Sequence, residues 1–285
     1  MNSIIDFPLI RAGINEQEEA IRTLQLTVDK LEETIARPEY ALTEAFRIEG
    51  SRNRKTVDEI EKVTGFGNHL SNMFETLTDS IGRIPTQAEF NAACMEVLKE
   101  FWEVEDPVGI PWCGVVEQAL SNRNFRTYLA QMNELHCLLL LKEMFPEWDV
   151  YSSDDLDLLM GVDIVVETDK KRIYLHLLKN SGHSFKYLKK KGIRGGRKDS
   201  QGVFKRYKRD FTGDKLLAYD SNFGVNTGVT RHVNGIPLYR REWLENQLLT
   251  FNKFPQVGEP LDHTKKLDYL ESFLQSLEPE LEVAA

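Results

Sequence analysis

The feature that most restricts how this chain can fold is a change of hydrophobic period near residue 148. From there on, "WDVYSS", "VDIVVE" and "RIYLHLLK" are short runs, rich in β-branched and aromatic residues and separated by polar turns, as strands are. "LLAYDS" (216–221), "GVTRHV" (228–233) and "IPLYR" (236–240) extend the strand pattern. "RREWLENQLLTFN" (240–252) and "HTKKLDYLESFLQSL" (263–277) return to helical spacing. Helices first, then strands between helices, place the chain in the α/β (α+β) class. Its 285 residues suffice for one or two domains with a sizeable core.

The first half reads as helical. Ile14, Ile21, Val28 and Ile35 recur every seven residues, with Leu24 and Leu31 between them. This seam over 14–36 predicts a helix, packed on its own domain or pairing with a second copy as a dimerisation helix. Residues 40–104 continue as helix, interrupted at "GFGNH" (65–69). In "RIPTQAEF" Thr86 can cap a helix and Glu89 can return the bond, a capping box. "EDPVGIPWCG" (105–114) is the expected boundary between a helical region, 1–108, and a second domain, 109–285. A further helix is expected over 124–146, stopped by Pro146.

Composition removes several classes. The longest apolar run, "CLLLL" at 137–141, is far short of the roughly 20 residues that span a membrane, so no membrane partner is expected. The N-terminus does not read as a signal peptide, and three cysteines without metal-site spacing fit reduced thiols in a cytoplasmic protein. No phosphate-binding loop or dinucleotide fingerprint occurs, and the histidines form no metal-ligand pair at helical spacing. Net charge is −9, but it is segregated: residues 170–215 hold 16 Lys/Arg and 3 Asp/Glu, and the rest of the chain holds 20 and 42. Within the basic loop 184–211, Lys186, Lys189, Lys190, Lys191, Arg194, Arg197, Lys198, Lys205, Arg206, Lys208 and Arg209 alternate with aromatic residues. Such a stretch suits phosphates, which it would meet with salt-dependent affinity. DNA, double-stranded rather than RNA, is the expected partner.

"MGVDIVVETDKKRIYLHLLKNS" (160–181) reads as a hairpin turning at "TDKK", with Asp163 expected opposite about Leu177. On that register Asp163, Val165 and Glu167 share a face with Leu175, Leu177 and Lys179. A carboxylate can hold a divalent cation beside a phosphate, and a nearby ammonium can orient water or neutralise charge. Preceded by a helix carrying Glu134, this order resembles the PD-(D/E)xK, or restriction-endonuclease-like, nuclease core over about residues 125–220. The resemblance implies a central mixed sheet flanked by helices and a Mg²⁺- (or Mn²⁺-) dependent endonuclease of the restriction or anti-invader kind. It implies Asp163 and Glu134 as metal-binding and catalytic carboxylates, Lys179 as catalytic lysine, and the Leu178 backbone carbonyl as a further ligand. Double-strand cutting would suit a homodimer. Val162 stands where such cores have proline, and Leu177 where they have a second acid. Glu134 is the best substitute for that acid, followed by Asp157 and Glu167. His176 faces away if the strand is regular. Two other readings stay open: a nuclease-like scaffold that binds nucleic acid without cutting it, and an oligomeric regulatory or interaction protein.

Overall fold

The computed structural model describes residues 21–22, 24–42, 73–105, 110–152, 162–169, 172–181, 184, 214–220 and 225–253. Among these are five α-helices: α1 (Val28–Ile35), α2 (Met73–Ile81), α3 (Gln87–Glu105), α4 (Gly114–Met144) and α5 (Arg241–Lys253). Six strands follow α4 or precede α5: β1 (Asp149–Tyr151), β2 (Ile164–Glu167), β3 (Arg172–Lys179), β4 (Asp214–Tyr219), β5 (Thr230–Val233) and β6 (Ile236–Tyr239). All six were legible as strand runs, and the fold is mixed α/β.

The main sheet is mixed, in the order β1-β2-β3-β4. β1, β2 and β3 are antiparallel neighbours, and β4 lies parallel to β3. β5 and β6 form a separate hairpin. Its turn, Asn234-Gly235, has positive φ at both residues (50° and 85°), the conformation a two-residue hairpin turn needs.

The expected helix over 14–36 is interrupted among its described residues. Ile21 and Arg22 are helical, Gln25 takes φ 48°, and Thr27 caps a new helix by accepting the Lys30 amide at 3.2 Å. The seam residues Val28, Leu31 and Ile35 are buried inside this chain. Residues 14–20 lie outside the described residues. The hairpin tip holds the end of α1: the Asn234 amide side chain donates to the Ile35 and Arg37 carbonyls at 2.8 Å each.

The capping box is present. Glu89 N–H donates to Thr86 Oγ1 at 3.3 Å, and Thr86 N–H donates to Glu89 Oε2 at 2.9 Å, which starts α3 at Gln87. Helix α4 begins ten residues earlier than expected, at Gly114, directly after the Pro/Gly connector. One buried cluster draws on both sides of the 108/109 boundary: Leu31, Phe90 and Leu98 belong to it together with Leu138, Ile164 and Leu217. Helix α4 is its centre, since residues 135–141 are buried all the way round. Buried polar bonds fix its rotation. Tyr128 donates to the Pro85 carbonyl at 3.0 Å, the Asn133 amide to the Pro237 carbonyl at 3.0 Å, and His136 Nε2 lies 2.9 Å from Glu32. No described helix is long and apolar enough to cross a membrane.

Candidate active site

The hairpin register differs by one residue from expectation. β2 ends at Glu167 and β3 begins at Arg172, with Glu167 paired to Arg172 and Ile164 to Leu175. A regular continuation would set Asp163 opposite His176. Val165 and Glu167 therefore share a face with Tyr174 and Arg172, not with Leu175 and Leu177. Glu167 is occupied there, accepting from Tyr151 at 2.7 Å and pairing with Arg172 at 2.6 Å, which removes it as a reserve acid for Asp163. Asp157, the other reserve, lies outside the described residues.

Asp163 escapes that face through a bulge. Ile164 is the register partner of Leu175, yet the Asp163 amide also donates to the Leu175 carbonyl at 3.0 Å. Two residues thus oppose one, which is a β-bulge, and alternation breaks at Asp163. Its carboxylate then accepts the Leu177 amide, replacing the backbone acceptor that β2 would otherwise supply. Three groups on the α4 side of the sheet feel the Asp163 charge. Burial chiefly, then Glu134 and Asp163, push the Cys137 thiol well up. Burial, then Asp163 and Glu134, push up the Tyr219 hydroxyl. Tyr239 is raised by burial, then Cys137, Tyr219 and Asp163.

Glu134 and Asp163, 29 positions apart in sequence, therefore act on the same two groups, Cys137 and Tyr219. Glu134 is the only charged residue between 132 and 141 and the only one of these ten that is not buried. A carboxylate set in an otherwise buried helical segment needs compensating charge or polar groups. Lys179, half-buried, ends β3 and is the register partner of Tyr219. Along β3 Leu175, Leu177 and Lys179 alternate onto one face, which is the core face because Leu175 and Tyr219 belong to the core. His176 takes the opposite face, as expected.

The backbone carbonyl assigned to Leu178 points elsewhere. Asn180 N–H donates to the Tyr219 carbonyl at 2.7 Å, so even-numbered residues of β3 turn their backbone groups toward β4. Leu178 is among them and belongs to that ladder. Leu177, whose amide meets Asp163, carries the carbonyl on the Asp163 side. A magnesium site built here would thus draw on Asp163, Glu134 and the Leu177 carbonyl. Mg²⁺ is commonly held by one or two carboxylates and keeps several waters, so this donor set fits it. No group of three or more His, Cys, Asp and Glu side chains is placed to hold a metal among the described residues.

Sequence reading missed a polar clasp just beyond Lys179. Asn180 Nδ2 donates to Asp220 Oδ1 at 2.7 Å, Thr227 Oγ1 to Asp220 Oδ2 at 2.8 Å, and Asp220 N–H to Thr230 Oγ1 at 2.9 Å. It ties the ends of β3 and β4 to the β5–β6 hairpin. The signal was a polar pair, Asn180 and Asp220, each one residue past its strand. The basic residues from Lys186 to Arg209 lie outside the described residues. Comparison with known protein families, with curated proteins and with solved structures gives no match to this chain.

Proposed function

We propose that this protein is a Mg²⁺- or Mn²⁺-dependent endonuclease acting on DNA, of the restriction or anti-invader kind. The observation that carries the proposal is the bulge at Asp163. It breaks strand alternation at the one carboxylate of the hairpin that a nuclease core would need, bringing its charge to bear on the groups that Glu134 also reaches. Bulges recur beside active sites because they re-aim a side chain in this way. A mixed sheet packed on the helix that bears Glu134 is also the arrangement implied by the PD-(D/E)xK resemblance.

Asp163 and Glu134 would hold the cation, with the Leu177 carbonyl beside them. When bound, the ion would stabilise charge on the phosphate and lower the pKa of an attacking water. Asp163 is kept in place by the Leu177 amide, so its carboxylate is positioned before any ligand arrives. Lys179, on the same face as Leu177, would neutralise phosphate charge or orient water. Cys137, Tyr219 and Tyr239, on which the Asp163 charge acts, are buried, and charge interactions are stronger in such a low-dielectric setting than in water. The basic segment would follow the phosphate backbone. A homodimer would have to use a surface other than Val28, Leu31 and Ile35, which are buried in the protomer.

The second reading, a nucleic-acid-binding scaffold without hydrolysis, draws on the leucine at 177. Digestion of supercoiled plasmid separates the two. The expected result is Mg²⁺-dependent nicking or linearisation that EDTA abolishes. Asp163→Asn, Glu134→Gln and Lys179→Ala should each slow it by about 10²-fold or more, the loss typical of removing one transition-state contact. Absence of cleavage with intact, salt-sensitive DNA binding would favour the scaffold. Full activity of Glu134→Gln would sink the assignment of the second carboxylate.

A further inference from the structure

We propose that Tyr219 is a further residue of this site, its hydroxyl donating a hydrogen bond to the phosphate that the site would bind. The inference rests on the nuclease reading and gives Tyr219, a buried neighbour of the carboxylates in that reading, a direct contact with the substrate. Tyr219 is the register partner of Lys179 across the parallel β3–β4 pair, so the two side chains stand side by side on the core face. Its ring is held from below. It packs edge-on against Tyr239, with centroids 6.1 Å apart and planes at 86°. Tyr239 is itself fixed, stacked on Trp243 of α5 and donating its hydroxyl to the Leu217 carbonyl at 2.7 Å.

The hydroxyl is what sets Tyr219 apart. Tyr40, Tyr128, Tyr151 and Tyr239 each donate to an acceptor within the protein. The Tyr219 hydroxyl takes no acceptor among the described residues. It is a neutral donor on a rigid ring, beside a lysine and within the field of two carboxylates, in a part of the site where a phosphate oxygen would need donors. Tyrosine at this place supplies a hydrogen bond without adding charge, and burial keeps it protonated, so it serves as a donor and not as a base.

Tyr219→Phe tests this, because it keeps the ring packed on Tyr239 and removes only the oxygen. Plasmid cleavage with Mg²⁺ should lose about 10²-fold in kcat, as for loss of one transition-state donor, with KM little changed. The loss should be uniform from about pH 6 to 9, since a neutral phenol does not titrate there. Equal cleavage by Tyr219→Phe and wild type overturns the inference alone. A rate loss that tracks a lowered melting temperature marks a packing role and overturns it as well. No cleavage by the wild type overturns the nuclease reading, and this inference with it.

Discussion

Removing the Glu32 carboxylate should loosen the helix that carries Glu134, and the size of the effect follows from its contacts. Glu32 accepts from the wholly buried His136 at 2.9 Å and pairs with Arg231 of the β5–β6 hairpin. Burial lowers the pKa of His136, so it is neutral at pH 7, with Nε2 carrying the proton that Glu32 accepts. Glu32→Ala leaves that N–H buried and unpaired, a cost of about 1–3 kcal/mol. The partly exposed Arg231 pair adds about 0.2–1 kcal/mol. The total is about 1–4 kcal/mol, or roughly 3–12 °C in melting temperature for a chain of this size. The Glu32 pKa gives a second route. The His136 hydrogen bond first, then Arg231, hold it down to about 2 from 4.5, against the opposing effect of burial. At about 1.4 kcal/mol per unit that exceeds 3 kcal/mol, and solvent screening of a side chain one-quarter exposed reduces it to about 2 kcal/mol. A carboxylate whose folded pKa is depressed contributes fully above its unfolded pKa and loses that contribution as pH falls through its folded pKa. The gap between wild type and Glu32→Ala should therefore be complete above about pH 5 and close between about pH 4.5 and 2. His136 acts separately: its lowered folded pKa makes the unfolded chain take the proton first, so stability also declines below about pH 6.5 in the wild type. Urea denaturation across this range measures both. A difference under about 0.5 kcal/mol at pH 7, or a gap that persists undiminished near pH 2.5, would refute the reasoning.

Two other perturbations follow from hydrogen bonds in the structure. Thr86→Ala removes the hydroxyl of the capping box and should cost about 1 kcal/mol in denaturant titration. Asp220→Ala strips the acceptor from Asn180 and Thr227; it should cost about 1–2 kcal/mol and, on the nuclease proposal, lower kcat more than DNA affinity, because Asn180 directly follows Lys179. Equal losses in kcat and affinity would show that the clasp supports the fold alone.

The elements were legible because their hydrophobic periods are strong. Val28, Leu31 and Ile35 fall on one helical face, and "IVVE" and "RIYLHLLK" alternate or run apolar as buried strands do. The capping box was legible because both its partners lie within four residues. What could not be read was set by longer range or finer geometry. The heptad seam is also the pattern of a helix buried in its own core, and only packing decides which. The hairpin register turned on whether the loop had an even count centred on Asp169 and Lys170, and a shift of one residue exchanges the faces of Val165 and Glu167. The bulge has no sequence mark at all, since no glycine stands at Asp163. Glu134 did carry a signal: a lone charge among "MNELHCLLLL". Tyr219 carried none, being one aromatic residue in a strand where aromatic residues are common.

Leu177 is better understood by its backbone than by its side chain. An acid at that position would share a face with Lys179 and put a second carboxylate on β3 itself. Leucine there packs against the core, and its amide takes up the task of holding the Asp163 carboxylate. On the nuclease proposal the second acid would be carried by α4, on a helix whose rotation depends on Asn133, His136 and Tyr128 meeting partners 43 to 104 residues away. A site whose acids both stand on one hairpin is assembled by local strand pairing. This one would be assembled only when α1, the Pro85 segment and the β5–β6 hairpin have closed on α4. The consequence is a coupling between the helical half and the chemistry: a substitution at Glu32, two positions from Glu134 through His136, should reach the carboxylate by letting α4 rotate, although it touches neither Asp163 nor Lys179.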